Sequence, residues 1–298
     1  MRFAEAVERI ERAAAFAELG DGDDTYRAYA KAVHPDAVGA AESAAATKAF
    51  ATLSRLYRER GRFVVTGDIA DLVADGDHFD KIPRSPGDND LMEAEAHALS
   101  TLRDKGDPKY RFYAPRLRDS YLHEDHERKR RRVNTIERLA GFVPLSEVVA
   151  RGQRDPRDVA WMWRRLLVGL GWAHRAGVIH GAVLEEHVLI HPEKHGVALV
   201  DWCYSGPYVK AIVARQRDAY PPEVLQDKTA GPATDIYMAT GLMTRLTKDP
   251  PKQLRRFADG CLYQAPRMRP QDAWRLLGEL DEVLHSLYGP RTFRPFTI

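Results

Sequence analysis

The chain has 298 residues with a formal net charge of +2, so it is long enough for two domains, and its charge balance does not favour nucleic acid as a partner. Its two cysteines, Cys203 and Cys261, lie far apart, which excludes a disulfide scaffold and a cysteine-rich zinc site. No apolar run is long enough to cross a bilayer and acidic residues follow the first few positions, so we expect a cytoplasmic protein without a membrane partner.

Residues 1–61 predict a small all-α unit of three helices. Apolar residues from Phe3 to Ile10 recur at helical spacing. After a Gly/Asp-rich break, Asp24 is expected to cap a second helix. That helix ends before Pro35, because proline disfavours helical geometry in the residue that precedes it. A third helix carries an apolar stripe from Phe50 to Tyr57.

The stretch YRAYAKAVHPD at residues 26–36 resembles the second helix and HPD loop of the J domain of Hsp70 co-chaperones. The resemblance implies a DnaK-type Hsp70 as partner, although the basic face of the helix is reduced to two residues. The partner-binding residues that it implies are Arg27, Lys31, His34, Pro35 and Asp36. The alternative is a helical hairpin in which His34 and Asp36 only close a loop.

Residues 62–298 change from a strand-rich to a helix-rich pattern near residue 141. The predicted elements are strands over 63–66, 69–73 and up to 82, a helix over about 88–103, and strands near 110–121 and 132–137. A long helix is expected from Asp155-Pro156 to Gly177, with an acidic N-cap and proline at its first position. The order predicts an α+β fold with a five-stranded upper lobe (62–141), a helical lower lobe (142–298) and a cleft between them.

Several segments of this second part resemble protein kinases. HGAVLEEH at residues 180–187 aligns with the H-R-D-x-x-x-x-N catalytic loop of that family, and Asp201 stands at the DFG position. Pro221-Pro222-Glu223 stands at the A-P-E position. The late segment PRMRP resembles the family's P-x-x-R-P, so we expect Arg269 to pair with Glu223.

The resemblance also implies a nucleotide site. Lys81 matches the phosphate-binding lysine, Glu95 its partner on the helix, and Asp201 a magnesium ligand; His187 occupies the position of the second ligand. The family's catalytic aspartate is replaced by Ala182, and imidazole is a poor ligand for Mg²⁺. Only Gly67 remains of the glycine-rich loop.

Three interpretations follow from these residues. The first is a pseudokinase that acts as a binding or regulatory module for an unknown protein partner, with ATP as a candidate ligand and the need for Mg²⁺ undecided. The second is an atypical serine/threonine-type phosphotransferase in which Glu185 or Glu186 replaces the missing base. The third is an Hsp70 co-chaperone with a kinase-like client-binding part. Lys81–Glu95 as a purely structural ion pair and Asp201 as a loop cap stay open as alternatives.

Overall fold

The computed structural model describes residues 2–13, 16–20, 22–39, 41–59, 64–124 and 128–298. The chain divides into two compact units. The first comprises residues 1–64 with 74–76, and the second comprises residues 65–73 with 77–298. The boundary predicted at residues 61–62 lies outside the described residues.

The first unit contains three helices, α1 (Phe3–Arg12), α2 (Gly22–Val33) and α3 (Ser43–Glu59). Their apolar faces meet in one core, in which the side chains of Ile10, Val33 and Leu53 are fully buried. Tyr26 and Tyr57 stack at 3.9 Å beside this core. The three predicted helices are therefore present.

The predicted helix cap at Asp24 is wrong. Helix α2 begins two residues earlier, at Gly22, so Asp24 lies within the first helical turn. There its carboxylate is close to the positive end of the helix dipole and lies 3.3 Å from the guanidinium of Arg27. An acidic residue in the first turn and one at the cap give the same sequence signal.

The second unit combines two antiparallel sheets with six helices among the described residues. The larger sheet has the strand order β1-β2-β3-β5-β4. Its strands are β1 (Val64–Thr66), β2 (Ala70–Asp75), β3 (His78–Pro83), β4 (Leu117–Glu124) and β5 (Arg130–Glu137). A small sheet of β6 (Val143–Pro144), β7 (Val188–His191) and β8 (Gly196–Leu199) lies farther along the chain. The coarse prediction of five strands followed by a mainly helical part is confirmed.

The prediction of one strand near 110–121 is wrong in its first half. Residues Pro108–Tyr113 form a 3₁₀ turn, in which the Asp107 carboxylate accepts a hydrogen bond from the Lys109 backbone N–H. The turn places the ring of Tyr113 in the core against Gly169, where a side chain would not fit. Aromatic residues favour strands, and this segment is rich in them, which is typical of a predicted strand. Here the burial of Tyr113 in the helical core accompanies a 3₁₀ turn instead.

The helices that the structure describes in the second unit share one core, and α6 contributes the largest number of buried residues to it. They are α4 (Asn89–Lys105), α5 (Leu145–Ala150), α6 (Pro156–Arg175), α7 (Pro232–Leu246), α8 (Lys252–Cys261) and α9 (Ala273–Tyr288). The predicted cap is present, since the Asp155 carboxylate accepts from the Arg157 backbone N–H at 2.8 Å. Helix α6 packs on α7 and α9, and so forms the centre of the core. Within the described residues, no helix has the length and apolarity that spanning a membrane requires.

Candidate functional site

Lys81 and Glu95 form a buried ion pair between the sheet and α4. Lys81 lies on β3, and its Nζ is 2.7 Å from Oε1 of Glu95. Both side chains are almost fully buried, at 1–2% exposure. A buried charge needs a partner, so each of these residues depends on the other. The structure thus brings together the two residues that the sequence paired.

Asn134 supports Glu95 from the neighbouring strand β5. Its side-chain amide donates to Oε2 of Glu95 at 3.0 Å and to the carbonyl of Met92 at 2.9 Å. Both carboxylate oxygens of Glu95 are therefore engaged, one by each strand. Sequence alone did not identify Asn134, because β5 (RRRVNTIE) is mostly polar and one more polar residue there carries no signal of burial.

Asp201 meets the same lysine from the other side. It follows β8 in a left-handed backbone conformation (φ 59°, ψ 47°), which aspartate adopts more readily than most residues. Its Oδ1 lies 2.5 Å from Nζ of Lys81. Burial alone would raise the pKa of Asp201, but the charges of Lys81 and His187 lower it to about 2. Burial would likewise lower the pKa of Lys81, yet Asp201 and Glu95 raise it well above the ordinary value, so both groups are charged.

His187 lies between two carboxylates. Its Nδ1 is 2.8 Å from the carbonyl of Ala182, and its Nε2 is 2.7 Å from Oδ2 of Asp68 and 3.7 Å from Oδ2 of Asp201. Both ring nitrogens face acceptors, so both must carry protons. Burial lowers the pKa of His187, but Asp201 and Asp68 outweigh it and raise the pKa above 6.5. The side chain is therefore an imidazolium.

Asp68 reaches this cluster from the turn between β1 and β2. Besides His187, its carboxylate pairs with Arg215 at 2.7 Å, and Arg215 pairs in turn with Glu186 at 3.3 Å. Burial raises the pKa of Asp68, but its bond to His187 gives a net lowering. The result is an alternating series of acids and bases, which we name the charge chain. Its members in order are Glu95, Lys81, Asp201, His187, Asp68, Arg215 and Glu186.

The loop that resembles the kinase catalytic loop is fixed by its backbone. The Asp235 carboxylate accepts from the backbone N–H groups of His180 and Gly181 at 2.9 and 2.8 Å. Gly181 has a positive φ of 79°, and a Cβ there would lie 2.5 Å from the carbonyl oxygen of Tyr204. Ala182 is fully buried and offers only its carbonyl, which His187 occupies. At this position the chain supplies no carboxylate.

Of the two acids that the sequence offered as a replacement for the base, Glu186 is already engaged by neighbouring side chains. The carboxylate of Glu186 pairs with Arg215 and also accepts a hydrogen bond from Gln216. Burial, and then the nearby charge of Glu186, raise the pKa of Glu185. The geometry therefore gives Glu186 a structural partner.

The predicted pair of Arg269 with Glu223 is present. The guanidinium donates to both carboxylate oxygens, at 2.6 and 3.0 Å, and both side chains are buried. Thr234 donates to the same carboxylate at 2.9 Å. Together with Thr234, this bidentate pair connects three segments of the helical part. None of these three residues belongs to the charge chain.

The donor set does not fit magnesium. Mg²⁺ prefers an octahedron of oxygens, whereas here an imidazolium, which has no free lone pair, lies between Asp68 and Asp201. The described part of the chain contains no group of three or more His, Cys, Asp or Glu side chains arranged to hold a metal ion. The turn residue Asp68 also places a negative charge beside Asp201, where it would repel nucleotide phosphates.

In the first unit, the residues predicted to bind a partner lie on α2 and in the loop that follows it. Arg27 and Lys31 are one helical turn apart on α2 and both are exposed. The Nδ1 of His34 accepts the backbone N–H of Asp36 at 3.3 Å, and Pro35 begins the short 3₁₀ turn. The carboxylate of Asp36 is 91% exposed and lies 3.8 Å from Nδ1 of His34, so the loop presents a carboxylate to solvent.

Comparison with protein-family models gives no match for this chain. Comparison with curated proteins gives no match either.

Proposed function

We propose that the chain is a pseudokinase: a two-lobed protein-kinase-like domain over residues 62–298 that acts as a binding or regulatory module. A J-domain-like unit over residues 1–61 precedes it and recruits a partner. The order of elements supports the kinase-like part, with five antiparallel strands and α4 followed by helices. The Lys81–Glu95 and Glu223–Arg269 pairs support it further, because both were expected from the resemblance alone.

The charge chain is the observation that carries the proposal. In an active kinase the lysine holds phosphates and the aspartate holds a metal ion. Here Lys81 and Asp201 neutralise each other, and the imidazolium of His187 provides the positive charge between Asp201 and Asp68. A nucleotide would have to break these ion pairs and leave buried charges unpaired, which is strongly unfavourable.

The missing carboxylate at Ala182 removes a second requirement for phosphoryl transfer. General-base assistance is worth about 10²–10⁴ in rate. Because the loop backbone is held by Asp235 and the alanine carbonyl by His187, no neighbouring acid replaces it at the same place. The same fixed arrangement suits a scaffold, since it keeps the two parts of the site in one conformation without a ligand.

For the front unit we propose a DnaK-type Hsp70 as the partner. The exposed loop at His34, Pro35 and Asp36 and the basic pair Arg27 and Lys31 support this assignment. In the resembling family these are the two features that dock on Hsp70. The kinase-like part would then hold the protein that is brought to the chaperone.

A phosphate-transfer assay tests the main proposal. Purified full-length protein is incubated with Mg²⁺ and ATP labelled on its γ-phosphate, with casein as acceptor. We expect incorporation no higher than in Asp201→Ala. Transfer by the wild type that Asp201→Ala abolishes would contradict the pseudokinase and favour the phosphotransferase interpretation.

Thermal unfolding with ATP, in the presence of Mg²⁺ or EDTA, tests the closed charge chain. A ligand at 100 times its Kd stabilises the folded state by about 2.7 kcal/mol, or several degrees. We expect a larger rise for the double variant Asp68→Ala/His187→Asn than for the wild type. An equal rise in both proteins would show that the charge chain does not oppose the nucleotide.

A further inference from the structure

A groove on the second unit is lined by none of the residues of the charge chain. It is lined by the N-terminal half of α6, the last turns of α9, the segment 289–295, and Lys194 and His195 from the turn between β7 and β8. Its volume is about 960 Å³. That volume is in the range of ligand-binding clefts and well above that of a packing defect. The function proposed above makes no use of it.

The groove concentrates positive charge. Six Arg and Lys side chains line it, with Asp281 as the one acidic side chain among its described lining residues. Arg157, Arg164 and Arg294 have carboxylate partners in Asp155, Asp281 and Asp158. The other three are Arg165, Lys194 and Arg291, which have no ion pair with a carboxylate among the described residues.

The cations lie close enough to repel one another. Burial, followed by the charges of Arg291 and Arg165, lowers the pKa of Arg164 to about 10. Among the described residues of this wall, Nε of Arg164, Nε1 of Trp161 and Nε2 of His195 have no hydrogen-bond partner. Oδ1 of Asp281 has none either, although this carboxylate forms an ion pair with Arg164. Guanidinium and indole groups are donors only, so an anionic acceptor is the chemistry that suits this wall.

An ordered stack of rings runs into the groove. The His195 ring lies between Trp161, at 4.2 Å, and Phe293, at 4.4 Å. His195 takes a left-handed backbone conformation (φ 50°), and it is buried. Phe293 is the outer ring and is 67% exposed, so its position is fixed on one side and open on the other.

We propose that this groove binds single-stranded nucleic acid, with a base stacked on Phe293 and phosphates held by Arg165, Lys194 and Arg291. Stacking platforms between basic side chains are the usual means of holding single strands. An acidic peptide would satisfy the cations but has no need of a rigid exposed ring. The net charge of +2 for the whole chain gives no sign of this basic groove, because acidic residues elsewhere in the chain balance the positive charge of the groove.

Fluorescence anisotropy with labelled oligothymidylate and oligouridylate of about ten nucleotides tests the proposal on the full-length protein. Phe293→Ala should weaken binding by about tenfold, from stacking worth about 1–3 kcal/mol per base, and leave the salt dependence unchanged. Arg291→Gln should reduce the slope of log K against log salt by about 0.7. Each variant therefore has its own signature.

Matched controls lie outside the groove. Phe112→Ala removes another exposed aromatic residue, and Arg267→Gln another exposed arginine. Both should bind like the wild type. If Phe293→Ala lowers the unfolding midpoint, Phe293→Leu replaces it in the comparison. Leucine keeps an apolar side chain without a stacking face, so Phe293→Leu should weaken binding as Phe293→Ala does.

Three results would overturn the proposal. The first is no binding of either oligonucleotide at low salt. The second is equal binding by the wild type, Phe293→Ala and Arg291→Gln. The third is displacement of the oligonucleotide by polyglutamate of equal charge at the same concentration, which would identify the groove as a site for acidic peptides.

Discussion

At the scale of single residues, His187 determines the charge at the centre of the charge chain. An asparagine, which the resembling family has there, is neutral and can offer an oxygen to a metal ion. The histidine instead offers two donors, one to a backbone carbonyl and one to Asp68. The position therefore supplies a fixed positive charge where its counterpart supplies a ligand.

The charge on His187 should make stability depend on pH. Its folded pKa is raised above 6.5, so its contribution is complete below pH 6.5 and is lost as pH rises through the folded pKa. At low pH, His187→Asn should be less stable by about 3 kcal/mol, since Asp68 and Asp201 lose their shared cation. Urea unfolding over pH 6–9 should show this difference narrowing as pH rises.

Two other histidines make the comparison specific. His180 contributes with the opposite sign, because burial lowers its pKa to about 4, so stability from its neutral ring is lost as pH falls from 6.5. The charge of His187 contributes to this lowering, so the His180 term differs between the two proteins only below about pH 6.5, and the comparison uses the range above it. His97→Asn, on the exposed face of α4, controls for the loss of a histidine. A difference that stays constant over the range would show that His187 is neutral.

The residues of the charge chain differ in how well the sequence reveals them. Lys81, Glu95, Asp201 and His187 were identifiable because they occupy motif positions. Asp68 and Arg215 were not, because each is an ordinary charged residue in a turn or loop, and only folding brings them within 2.7 Å. A contact between positions 147 residues apart has no local signal in one sequence.

At the scale of elements, strand and helix order was predictable and boundaries were less so. Alternating apolar residues and the Asp75-Gly76 turn identified β2 and β3, and Asp155-Pro156 identified the start of α6. The 3₁₀ turn at 108–113 was missed, because its aromatic residues serve the core of the helical part. The periodicity of apolar residues shows which face of an element is apolar. It does not show which other element packs against that face.

The Glu223–Arg269 pair joins elements of the helical part, and its loss should destabilise them. Arg269 also donates to the carbonyls of Tyr263 and Gln264, at 2.6 and 2.8 Å. Arg269→Met leaves Glu223 buried without its cation and should cost about 3–5 kcal/mol. Arg269→Lys should also be destabilising, because an ammonium cannot reproduce the planar fork.

Urea unfolding followed by tryptophan fluorescence measures this effect, since all five tryptophans lie between residues 161 and 274. Arg275→Lys is the control: its pair with Glu279 is exposed and should be worth less than about 0.5 kcal/mol. The double variant Arg269→Met/Glu223→Gln should recover part of the lost stability. A loss below about 1 kcal/mol in Arg269→Met would mean that Glu223 finds another partner or water.

At the scale of the whole molecule, the two units have separate cores that share no residue. The sequence showed this division through a change from helical to alternating periodicity near residue 62. It did not show the basic groove, because net charge is a sum over the chain and the groove depends on which charges are near one another. The two proposed partner surfaces lie on different units.

The front unit allows that division to be tested. His34→Gln removes the ring that accepts the Asp36 N–H and packs 5.2 Å from Phe50, at an exposed loop rather than in the core. We expect it to abolish stimulation of the ATPase of a DnaK-type Hsp70 by the full-length protein. The midpoint of tryptophan fluorescence should not change, because every tryptophan lies in the second unit.

Lys48→Gln serves as the matched control, since Lys48 is also exposed on the front unit and pairs only with Glu11 at the surface. Its stimulation of Hsp70 should equal that of the wild type. If the wild type gives no stimulation, or if His34→Gln stimulates equally, the HPD residues only close a loop. The front unit would then be a helical hairpin domain, and the proposal that it recruits a partner would be wrong.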